Sequence, residues 1–198
     1  MTMRPLNRSC ARMLNHAELV YAPGERALAR LLLEGLGFRV IDPQSDATPE
    51  ELGPAASAYL IVYLDPESTD VFDNVIYASE ASEDQWRFES ALQDRLASDE
   101  ELSDLHRSLR GAYSRMPQAM CHFGVAYPSA EEVSATLERL AGIAALEGRV
   151  TVSDLFVPGG PGSADDRVVQ GFVYTDVISS GLLLGGQQIE LQVRLDGV

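Results

Sequence analysis

The chain contains no lysine: its 15 basic residues are all arginine, set against 30 acidic residues for a formal net charge of -15 over 198 residues. A lysine Schiff base is therefore excluded, and so is the lysine-dependent phosphate loop of nucleotide hydrolases. The acidic excess repels phosphate, which argues against a nucleic-acid partner and an anionic membrane partner. Cysteine is scarce, with only Cys10 and Cys121, so no disulfide framework is expected and a cytoplasmic, reducing location follows. No apolar run approaches the roughly 20 residues of a membrane-spanning helix, and the residues from Met1 to Arg12 lack the apolar core of a signal peptide. Histidine is nearly as scarce, with three in the chain, and two of them open equivalent segments.

The first such segment is Leu14 to Tyr21, whose alternation suits a strand with Ala17, Leu19 and Tyr21 on one face and His16, Glu18 and Val20 on the other. Pro23 and Gly24 break it. A helix is predicted from Glu25 to Leu36 on the spacing of Leu28, Leu31, Leu32 and Leu36, and Gly37 stands where a left-handed stop belongs. Strands follow over Phe38 to Ile41, Ala58 to Leu64 and Val71 to Glu80. About a hundred residues later the same order returns. Cys121 to Tyr127 repeats the His-x4-Tyr spacing of His16 and Tyr21, and Ser129 with Glu132 makes a capping box. The helix it starts carries Val133, Leu137, Leu140, Ala141 and Ala144 as its apolar stripe. Strands are then predicted over Arg149 to Val157, Val168 to Ile178 and Gln188 to Leu195, with a Gly-, Pro- and Asp-rich loop over Pro158 to Asp166.

Between the copies, Ser82-Glu83-Asp84-Gln85 and Ser98-Asp99-Glu100-Glu101 read as two helix starts. The expected organisation is module one over 1–81, a helical linker over 82–117 and module two over 118–198, all within one α+β unit. Packing over a sheet edge or a dimer surface is the plain role for the linker, and a lid over a site is the sharper one. Exposed sheet edges and the leucine-bearing linker leave a homodimer open.

Three stretches, "LNHAELVYAPGERALARLLLEGLGFRV", "CHFGVAYPSAEEVSATLERLAG" and "GQQIELQVRL", carry a resemblance to the vicinal-oxygen-chelate superfamily of glyoxalases, bleomycin-resistance proteins and extradiol dioxygenases. The resemblance implies two βαβββ modules pairing into a curved mixed sheet around a cleft, with a divalent metal ion (nickel, zinc, manganese or iron) on its floor. Carried residue by residue, it implies His16, His122 and Glu190 as ligands. Glu80 is the candidate fourth ligand, since its spacing from His16 nearly equals that of Glu190 from His122. Glu89 has a similar offset but falls in a predicted helix, where a surface role is expected.

The residues themselves agree with parts of this. Ile189, Leu191 and Val193 alternate with Gln188, Glu190, Gln192 and Arg194, a polar face that needs water, a ligand or a metal. Two imidazoles and a carboxylate suit a first-row divalent ion with open positions for a small substrate bound through adjacent oxygens. Glu190 or Glu80 would then move a proton, and Arg194 and Gln192 would contact substrate. Four protein ligands imply isomerase or lyase chemistry, and three imply an iron-dependent ring-cleaving dioxygenase. The alternative is a metal-free protein that binds and sequesters a small molecule, for which the acidic charge favours a cationic ligand. His106 is expected in solvent, Tyr21 and Tyr127 in the core with wet hydroxyls, and Asp176 either as a cap or on a polar cleft wall.

Overall fold

The structure is a computed structural model that describes residues 14–47, 57–163 and 166–195. Cys10 lies outside them. The first half runs β1 (His16–Tyr21), α1 (Arg26–Gly35), β2 (Arg39–Ile41), β3 (Tyr59–Tyr63) and β4 (Val75–Glu80). Two helices follow, α2 (Glu83–Ser98) and α3 (Glu100–Arg115). The second half runs β5 (His122–Ala126), α4 (Ala130–Ala141), β6 (Val150–Val152), β7 (Val168–Thr175), β8 (Ile178–Ser179) and β9 (Gln187–Arg194). The chain is thus an α+β fold of two mixed sheets, one five-stranded in the order β2-β3-β4-β1-β8 and one four-stranded in the order β5-β9-β7-β6.

In each sheet the first strand of its half lies parallel to the last and every other pairing is antiparallel. Alternation decides the faces. Leu19 and Tyr21 of β1 turn into the main core with Leu32, Leu33 and Leu36 of the α1 region, while His16 and Glu18 are exposed on the other face. Gly37 ends the helix at φ +88°, as its place in the sequence implied. On α4 the Ser129 hydroxyl accepts from the Glu132 N–H, and Val133, Thr136, Leu137 and Leu140 are buried. Ala141 and Ala144 are exposed, and Leu146, in a 3-10 turn after the helix, fills the place expected of them.

The strands are shorter than alternation predicted. Residues 71–74 leave the sheet, and Val71 folds back to form a small second cluster with Ile61, Tyr63 and Val75. The Tyr77 hydroxyl donates to the Val71 carbonyl and holds that loop down. The predicted strand from Val168 to Ile178 divides into β7 and β8, because β8 pairs with β1 of the other sheet (Tyr21 with Ile178, Val20 with Ser179).

Both halves share one apolar core. Polar ties reinforce it: Tyr127 donates its hydroxyl to the Leu36 carbonyl at 2.6 Å, and Arg139 donates to the Gly35 carbonyl at 2.8 Å. The Arg149 guanidinium grips the Glu25 carboxylate with two hydrogen bonds, at 2.8 and 3.0 Å, and also binds Asp176. The tyrosine hydroxyls expected to be wet are satisfied by protein, since Tyr21 accepts from Arg26 at 3.0 Å.

Arg26 also reaches Asp42 and the carbonyls of Ala58 and Tyr59, fixing α1 to β2 and β3. The hydrogen bond from Arg26 holds the Asp42 carboxyl below its ordinary pKa. Asp42 is therefore more acidic folded than unfolded. Its stabilisation is complete above the unfolded value, about 3.9, and is lost as pH falls through the lower folded one. Urea midpoints measured from about pH 5 downward should fall more steeply for wild type than for Asp42→Asn; parallel curves would refute this linkage.

Candidate functional site

The polar alternation in β9 builds the most developed cluster in the second half. His122 pairs with Gln188 and Gly124 with Glu190 across the parallel β5–β9 ladder, so His122, Gln188 and Glu190 share the face turned away from α4. Glu190 lies over Gly124, where an added Cβ would stand at contact distance, 3.4 Å, from Oε2. Glu190 is buried, at 7% exposure. Its Oε2 lies 3.1 Å from His122 Nε2, and its Oε1 accepts from the side-chain amides of Gln170 and Gln192. His122 Nδ1 lies 2.7 Å from the Met120 carbonyl. Both ring nitrogens thus face acceptors, an arrangement fully hydrogen-bonded when the ring carries both protons.

Around this cluster the sheet face is covered. Phe172 meets the His122 ring edge-on at 5.7 Å, and Phe156 stacks edge-on against Phe172 at 5.6 Å. Gln118, in the 3-10 turn Pro117–Ala119 after α3, reaches Gln170. Gln188 is fully buried and donates to the Pro117 carbonyl, while its amide oxygen has no hydrogen-bond partner. Beside it a cavity of about 490 Å³ is lined by Tyr113, Phe156, Phe172, Tyr174, Asp154 and Gln188, among others. In its wall Tyr113 of α3 packs against Tyr174 of β7, at 4.5 Å between ring centroids. Desolvation raises the pKa of both phenols, which keeps them neutral hydrogen-bonding groups in the wall.

The other sequence-derived site residues are placed elsewhere. His16 is exposed on the five-stranded sheet, its Nδ1 2.9 Å from Asn15 Oδ1 and its ring 6.0 Å from that of Tyr77. The β1–β4 register explains that neighbour: Glu18 lies opposite Tyr77, so Tyr77 occupies in the first sheet the position that Glu190 occupies in the second. Glu80 pairs with Tyr21 at the far end of the ladder and on the opposite face from His16. The separation along the strand is about 16 Å, and Glu80 accepts from the Gly24 N–H at 3.0 Å instead. Among the described residues no group of three or more His, Cys, Asp or Glu side chains is placed to hold a metal ion. Among the described residues the structure therefore joins His122 to Glu190 but does not gather them in one set with His16 and Glu80. Gln192 supports Glu190, and Arg194 is exposed near the end of β9.

Three side chains play parts that alternation and helical spacing did not suggest. Glu89 is fully buried, accepting from Gln85 Nε2 at 2.8 Å and from the Leu184 N–H at 2.9 Å. His106 is half-buried, and its Nε2 donates to the Leu184 carbonyl at 2.8 Å. Asp176 joins Arg149 to Arg110 of α3. The Glu89 and His106 contacts clamp the α2–α3 hairpin onto the 3-10 turn Leu183–Gly185 that precedes β9, and the Asp176 contact ties α3 to the end of β7. In the sequence Glu89 reads as a surface residue of a polar helix, and nothing local to it points to a distant partner.

The chain matches no family model, no curated protein and no solved structure. No helix among the described residues is long and apolar enough to cross a membrane.

Proposed function

We propose that the protein is a small-molecule binding protein built from two βαβββ modules, holding its ligand against the polar face of the second sheet. The observation that carries this reading is Gln188, a fully buried amide in the wall of a cavity of about 490 Å³ whose oxygen lacks a partner. An unmet buried acceptor costs about 1–3 kcal/mol, which a ligand N–H or O–H entering from the cavity offsets. The volume suits a small organic ligand, and Tyr113, Phe156, Phe172 and Tyr174 offer flat apolar walls. The Glu190 network fits the role of a rigid floor, since every oxygen of that carboxylate already accepts from a neighbour.

A second reading, a glyoxalase-like metal-dependent isomerase, lyase or ring-cleaving dioxygenase, is favoured by one observation: His122 and Glu190 touch. One experiment separates the two. Tag-free protein is analysed by mass spectrometry for nickel, zinc, manganese and iron, then titrated with indole and 1-methylindole by NMR. The binding reading expects metal far below stoichiometric in wild type and in His122→Ala, with indole preferred over its N-methyl analogue and that preference lost in Gln188→Met. Near-stoichiometric metal that disappears in His122→Ala would overturn it in favour of the enzyme.

A further inference from the structure

Beside the ties that Glu89 makes from α2, the α2–α3 hairpin is held to the body along one flank of α3. His106 bonds the Leu184 carbonyl, Tyr113 packs on Tyr174, and Arg110 pairs with Asp176. The flank adjoining these contacts carries Leu102, Leu105, Leu109, Ala112 and Met116, a spacing alternating between three and four residues that makes one continuous seam. Four of these are large apolar side chains in solvent: Leu102 is 37% exposed, Leu105 62%, Leu109 50% and Met116 56%. None of the residues of α3 is buried. A seam of this kind on a helix whose mean composition is polar is the pattern of a helix awaiting another helix, not of a solvated surface.

The charges of α3 select the partner. Glu100, Glu101 and Asp104 occupy its first turns, Arg107 stands near its middle, and Arg110 and Arg115 lie in its second half. Two copies laid antiparallel place the acidic half of each against the basic half of the other. Two copies laid parallel oppose like charges. The positions next to the seam sharpen the match: Glu101, Ser108 and Arg115 recur every seven residues on one edge of it, where an antiparallel pair brings equivalent edges together. Glu101 of each copy then meets Arg115 of the other, and the twofold axis passes near Ser108. In a protein of net charge -15, which repels most copies of itself, this local complementarity is what permits self-association.

We infer that the protein forms a twofold-symmetric homodimer through antiparallel packing of α3 on α3. The buried seam of a single four-turn helix falls short of the roughly 1,200 Å² at which stable interfaces begin, so the dimer is concentration-dependent rather than obligate. The inference is independent of the ligand reading, because none of the five seam residues lines the cavity.

Sedimentation velocity of the full chain across the micromolar range tests it. Wild type is expected to pass from monomer to dimer, Leu105→Glu to remain monomeric with an unchanged circular dichroism spectrum, and Glu101→Arg to weaken the dimer by about tenfold through like-charge contact with Arg115. The double exchange Glu101→Arg with Arg115→Glu is expected to restore it, since an antiparallel pair recovers both ion pairs. A wild type that stays monomeric at the highest concentration, or a dimer indifferent to Leu105→Glu, overturns the interface. Failure of the double exchange to restore association overturns the antiparallel arrangement.

Discussion

Gly186→Ala is expected to lower stability by roughly 3 kcal/mol or more, a fall in Tm of about 6–12 °C. Two independent causes add at this position. The backbone sits at φ 68° and ψ -178°, a region essentially confined to glycine. A Cβ there would also fall inside the van der Waals surface of the Tyr174 ring, meeting its hydroxyl and two ring carbons. Tyr174 cannot swing away freely, because Tyr113 packs against it and the ring is 9% exposed. The variant should therefore lose ligand-site order along with stability. Differential scanning calorimetry checks the first effect and the Tyr174 ring resonances the second; a Tm within about 2 °C of wild type would show that the turn relaxes.

Glu89→Ala is the second large effect, expected at about 3 kcal/mol. Removing the carboxylate leaves the Leu184 N–H without its acceptor, costs Gln85 one of its two, and opens a void where the fully buried side chain stood. Glu89→Gln should cost less than half as much, because its amide oxygen still accepts from Leu184. Urea denaturation supplies the numbers, and hydrogen exchange supplies the mechanism: amides of α2 and α3 should exchange faster in Glu89→Ala than those of β3. Equal exchange in hairpin and sheet would mean that Glu89 does not clamp the hairpin.

The halves differ in how readily their sequence predicts them. Alternation in Leu14 to Tyr21 and in Gln188 to Leu195 put the right side chains on each face, because one face of each strand packs on a helix and the other does not. Helix ends marked by Ser82, Ser129 and Gly37 were equally legible, since a cap is a local contact. At the second linker helix the cap is Asp99, one residue beyond Ser98. Glu80 shows the limit. Counting residues from a histidine measures chain length, whereas position on a sheet is set by register, and the loops before β4 and β9 differ in length. Register gives Tyr77, not Glu80, the place equivalent to Glu190. Glu89, His106 and β8 were illegible for one common reason: each is defined by a partner more than seventy residues away or in the other half.

That last strand has a consequence for synthesis. The free edge of β1 is the most aggregation-prone part of the first sheet, because unpaired N–H and C=O groups there can template another strand. Its cover is two residues long and comes from Ile178 and Ser179. During translation, β2, β3 and β4 can align with β1 once residue 80 has left the ribosome, yet the edge stays open for about a hundred further residues, or roughly 5–20 seconds of elongation. The interval is one in which two nascent chains on the same message could join edge to edge.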